Sequence, residues 1–220
     1  MLSALVAAAV LLLVGAGSAQ AKVLELTGST TFTPSAQASQ FLANHGVTVA
    51  PVGGATFENG AFGFPIVAGY GNPRTYNGLL AHSGGLQFAK GERSAVVRRF
   101  VAVRFRHHAV LLAQIPALSG GCGHLRQALA HVPDRPVRRH PRAIRRVLAA
   151  VRSYCSHGKV IVLANLVKLA TDDADTGVVL SADLTLGGQA ARLLNRLAGE
   201  RIVSAGAPLG SAESTVTVVP

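Results

Sequence analysis

The chain contains no tryptophan, a single methionine at its start, two cysteines and only ten acidic residues in 220. Each scarcity removes a class of function. Carboxylate pairs for general acid–base work are lacking, because Asp172, Asp173 and Asp175 crowd into one polar turn. That turn also lacks the glycine and bidentate glutamate of an EF-hand loop, so it reads as solvated. No Walker loop, nucleophile elbow or dinucleotide-binding glycine fingerprint occurs. Ser83 sits next to His82, but neighbours on an extended chain face opposite sides, so His82 does not serve as its base. We therefore expect a non-enzymatic protein with no catalytic residue and no metal ligand set.

Charge is also absent from the first 21 residues, MLSALVAAAVLLLVGAGSAQA, which hold an apolar core from Ala4 to Val14 and end in Ala19-Gln20-Ala21. This pattern predicts a secretory signal peptide over residues 1–21, and a mature, secreted or surface chain beginning at Lys22. The apolar run falls short of the roughly 20 residues a membrane span needs. Residues 22–220 are long enough for one domain with a hydrophobic core. Export implies an oxidising compartment, so Cys122 and Cys155 are expected to pair as a disulfide. A Cys₂His₂ zinc set with His124 and His157 is the alternative, but the C-x-H spacing is not that of a finger.

Positive charge is abundant: 21 basic residues give a formal net charge of +11. Much of the excess lies in residues 118–158, where the β pattern breaks. HLRQALAHV and PRAIRRVLAAVRSYC read as two helices, with Leu125, Ala128, Leu129 and Val132 inward on the first and Ile144, Val147, Leu148 and Val151 inward on the second. A helical hairpin inserted in the domain and stapled by Cys122 and Cys155 follows. Its basic face would carry Arg138, Arg139, Arg142, Arg145, Arg146 and Arg152, an anion-binding surface for lipid headgroups or an acidic envelope polymer. Nucleic acid is disfavoured, since Tyr154 is the lone aromatic residue there for base stacking.

Elsewhere short β-type runs alternate with glycine and proline punctuation, from VLELT, TTFT and VTVAPV through AFGFPIV, GLLAHS and LQFA to SAVVRRFVAVRF and HAVLLAQI. VIVLANLVKLA, VVLSADLTL and STVTVV follow the hairpin. The pattern predicts a mainly β fold, an antiparallel sandwich or barrel-like domain. One helix interrupts the early strands in TPSAQASQFLANHG, with Thr33 as cap, Pro34 at its first position, Ala38, Phe41, Leu42 and His45 on one face, and Gly46 as stop. FTPSAQASQFL (32–42) aligns with LTLGGQAARLL (184–194), matching Gln37 to Gln189, Ala38 to Ala190 and Leu42 to Leu194. APVGGA (50–55) likewise matches APLGSA (207–212). A strand–helix element is written twice, which predicts two equivalent short helices at one end of the sheets.

Residues 78–88 read G-x-L-x-H-S-G-G-L-x-F, and with the exported, β-rich frame they resemble the Htaa domain of secreted and surface proteins of actinobacteria. Some members of that family take haem from host haemoproteins. The resemblance implies a histidine near haem at His82, and an iron-ligating tyrosine from the N-terminal helical segment. Here that segment is SAQASQFLAN, without tyrosine, so Tyr70 and Tyr76 become the candidate ligands beside His82. We expect no resident cofactor, with haem as the alternative, and a structural place for His82 at a strand end.

Overall fold

A computed structural model describes residues 24–72, 77–105, 108–117, 158–174 and 177–219. Residues 1–23, where a signal peptide is expected, Tyr76, and the basic segment with Cys122, Cys155 and its arginines lie outside the described residues. So do the hairpin and its expected disulfide.

The described chain runs β1 (Leu24–Pro34), α1 (Ala36–Asn44), β2 (Thr48–Val52), β3 (Thr56–Glu58), β4 (Ala61–Gly71), β5 (Gly78–His82), β6 (Gly85–Lys90), β7 (Arg93–Phe105) and β8 (His108–Ile115). It continues with β9 (Lys159–Ala174), β10 (Gly177–Leu186), α2 (Gly188–Ala198) and β11 (Pro208–Val219). All pairings are antiparallel, in the order β7-β5-β4-β1-β11-β10-β9-β8, and β8 returns to β7. Eight strands thus close a barrel, and the sandwich alternative gives way to it. Closure leaves no free edge among those eight, and an interior of this size either fills with side chains or holds one small ligand.

At one end the barrel wall divides. The C-terminal half of β7 pairs with β5, and its N-terminal half with β6, which carries β2 on its far side. The short strand β3 similarly borders the N-terminal half of β4. A bulge at Arg99, whose φ of 54° is left-handed, separates the two halves of β7.

Two strand boundaries differ from the sequence pattern. VLELT and TTFT are one strand, because Gly28 at φ 134° lets β1 pass within contact of the Thr215 carbonyl without a break. The polar TDDA run also stays in β9, whose ladder to β10 continues to Gly177↔Ala174. β8 and β9 are neighbours across the basic insertion.

The duplicated element is visible in the topology. β1 and β10 flank β11 and both run antiparallel to it, so they are parallel to each other and send α1 and α2 from the same end. The first helix is capped two residues later than the sequence indicated: Ser35 is the N-cap, its hydroxyl accepting from the Ala38 amide, while Pro34 closes β1. Proline has no N–H for a ladder but fits a strand end, and serine is the better cap. Gly187 is the equivalent N-cap of α2, with the same extended backbone.

The two helices are seated differently. On α2, Ala190, Ala191 and Leu194 are buried with Phe62, Phe64, Phe100, Ile115 and Ile161 in one cluster. Gln189 Oε1 accepts from the Val162 amide at 3.0 Å, and Asn195 Oδ1 accepts from Ile202 and Val203 at 2.9 Å. On α1 the inward stripe is the expected Ala38, Phe41, Leu42 and His45, yet none of its residues is buried. Leu194→Ala should therefore lower stability by about 2 kcal/mol, and the equivalent Leu42→Ala by about 0.5 kcal/mol, measured from urea midpoints. Equal losses would show that the two copies pack alike.

Candidate functional site

Along β1 the burial alternates without a break: Leu26, Gly28, Thr30 and Phe32 face inward, and Thr27, Ser29, Thr31 and Thr33 are exposed. On β11 the inward set is Ala212, Ser214, Val216 and Val218. Thr30 and Ser214 are direct cross-strand partners, so their hydroxyls meet inside the barrel at 2.7 Å. The third polar group comes from the end of β5, where His82 is 2% exposed.

His82 pairs with Ile66 of β4 and reaches past that strand, placing its Nε2 2.8 Å from Thr30 Oγ1. Its Nδ1 lies 3.2 Å from the Phe100 carbonyl oxygen, next to the bulge of β7. Both ring nitrogens are thus engaged. Burial pushes the imidazole down to about 4, and the bond to Phe100 opposes this only in part. His82 is neutral near pH 7, since desolvation disfavours the charged ring more than one carbonyl favours it.

Around these groups lies a cavity of about 480 Å³. α1 contributes Ala38, Phe41 and Leu42 to it and α2 contributes Leu193 and Leu194; Leu26, Leu80, Leu180 and Val216 line the barrel part. Among the described lining residues Arg104 is the only one that is charged at neutral pH. Such a space suits a small, largely apolar molecule held by dispersion and burial, with a few polar groups to orient it.

Of the residues singled out from the sequence, His82 and Tyr70 both line this cavity. Tyr70 pairs with Leu79, three residues before His82 on β5 and therefore about 10 Å along the strand. Its phenol is buried and pushed up to about 12, so it stays protonated. Tyr76 lies outside the described residues, as do the six candidate arginines and both cysteines. Thr30 and Ser214, which complete the polar chain with His82, sit in no motif. The signal for Thr30 was its place in an alternating run whose other inward members are Leu26, Gly28 and Phe32.

The glycines of the H-S-G-G motif have a clear role. Gly84 takes φ 79°, and its amide oxygen accepts from the Arg99 amide at 2.9 Å. Gly85 backs onto Val97, where a Cβ would lie 2.4 Å from the carbonyl oxygen. The chain can therefore leave β5 at His82 and re-enter the sheet as β6 beside the other half of β7.

Comparison with solved structures places this frame. The C-terminal domain of HtaA from Corynebacterium glutamicum superposes with a TM-score of 0.58 at 14% identity, over 89% of this chain and 99% of that one. The N-terminal domain of the same protein gives 0.53 at 13% identity, over 88% and 98%. The chain has an Htaa-like fold. The heme binding protein HtaB of that organism gives 0.49 at 8% identity, over 90% and 96%. No protein-family model matches the sequence, and no curated protein does. Within the Htaa-like frame, the motif histidine of this chain is a buried partner of Thr30 and Phe100.

Proposed function

We propose that this Htaa-like domain is a secreted, non-enzymatic binding protein that takes a small, largely apolar molecule into the barrel beneath α1 and α2. The apolar cavity of about 480 Å³ around an internal hydrogen-bonded chain carries this reading. An apolar wall with very few polar groups suits the binding of a small molecule.

Haem is the ligand that the resemblance implies, and a porphyrin is the first candidate to test. The described residues do not fit an iron centre. Both nitrogens of His82 are engaged within the protein, and the Tyr70 phenol is held in its protonated form, whereas iron takes tyrosinate. Among the described residues Arg104 is the one cation that lines the cavity, against the two carboxylates of a porphyrin. Iron should then add nothing to affinity. The test is a titration of the mature chain with haem and with iron-free protoporphyrin, followed by absorbance and tryptophan-free protein fluorescence. Comparable affinities are expected. A sharp Soret band for haem alone, lost in His82→Ala or Tyr70→Phe, would overturn the argument and make one of these residues an iron ligand.

A further inference from the structure

The hydrogen bonds that end at Ser214 have a fixed direction, and this direction selects the ligand. The Phe100 carbonyl can only accept, so His82 Nδ1 carries the ring proton. In the neutral ring Nε2 then has no proton, and Thr30 must donate its hydroxyl hydrogen to it across 2.8 Å. Thr30 has no second proton, so the 2.7 Å bond to Ser214 is donated by Ser214. The Ser214 hydroxyl makes no other hydrogen bond among the described residues, and it lines the cavity. What it offers to the cavity is lone pairs without a hydrogen.

We propose that Ser214 is a specificity-determining hydrogen-bond acceptor, and that the cavity selects largely apolar molecules that bring an O–H or N–H donor to it over isosteres that can only accept. The proposal rests on the cavity reading above and adds the polarity of its one central polar contact. An ether or ester oxygen at that depth would face the Ser214 lone pairs without a hydrogen between them. A hydroxyl at the same place would complete the chain that begins at the Phe100 carbonyl. The selectivity resides in Thr30 as much as in Ser214, because Thr30 is what uses up the Ser214 proton. A charged group placed at Ser214 itself would be disfavoured, since burying an unpaired ion costs far more than one hydrogen bond returns.

The experiment is displacement of Nile red from the mature chain by decanol and by its methyl ether. Decanol should displace the dye at about three- to tenfold lower concentration, the worth of one neutral hydrogen bond. Ser214→Ala should bring the two ligands within about twofold. Thr30→Val, which keeps the shape of the side chain but returns the Ser214 proton to the cavity, should remove or reverse the preference between the two ligands. That reversal is a result that loss of packing alone would not give. Equal displacement by both ligands in the unaltered chain, or an unchanged preference in Thr30→Val, would overturn the acceptor role and leave the cavity reading standing. Failure of the dye and of both ligands to bind would overturn the cavity reading itself, and the acceptor role with it.

Discussion

Acidification from pH 6.5 to pH 4 should cost the folded chain about 3 kcal/mol through His82 alone. Burial holds the folded imidazole at about 4, against 6.5 for the free side chain. The group is a base with a depressed value, so its contribution is complete above pH 6.5 and is lost as the pH falls towards 4. Between these limits the unfolded chain binds a proton that the folded chain refuses, and stability falls by about 1.4 kcal/mol per pH unit. Protonation would also place a ring N–H against the Thr30 hydroxyl hydrogen that now points at Nε2, so the chain to Ser214 would have to reverse. Urea midpoints at pH 7.5 and pH 4.5 read the effect directly. His82→Gln should be less stable than the parent at pH 7.5, yet lose less than about 1 kcal/mol over the same interval. An equal acid loss in both chains would show that other groups govern the response.

The strands themselves were legible because their residues alternate and because glycine and proline mark the turns. Closure into a barrel was not, since it depends on where β8 meets β7 and β9, and pairing of distant strands leaves no local mark. The same limit applies to the site. His82 stood out by its motif, and its structural placement is now accounted for by Phe100 and Thr30. Thr30 and Ser214 lie 184 residues apart, and only the β1–β11 register joins them. The repeat was legible as sequence, and it correctly put two helices at one end. It did not say that the copies had diverged in packing: Gln189 ties α2 to β9, whereas its counterpart Gln37 is exposed and lines the cavity. Divergence of this kind is what a binding mouth requires, one helix holding the floor and the other free of the core.

Gly85→Ala should be strongly damaging, lowering stability by about 4 kcal/mol or preventing folding. A methyl group at Gly85 would stand 2.4 Å from the Val97 carbonyl oxygen and 2.8 Å from the Arg98 Cα, both backbone atoms of the partner strand. Neither can yield without moving β7, and overpacking against an unyielding neighbour is among the few routes to losses of this size. Gly91→Ala is the control. It lies at φ 56° with nothing within 4 Å of the added carbon, so it carries the left-handed backbone penalty alone, about 1 kcal/mol. Thermal melts of both variants beside the parent separate crowding from conformation, and a loss at Gly85 no larger than at Gly91 would sink the crowding argument. The effect should extend to the site, because Gly85 sits opposite Arg98, one step from the bulge that aims the Phe100 carbonyl at His82. A partly folded Gly85→Ala chain in which water reaches His82 should therefore also lose the steep acid response, since burial is what lowers the imidazole.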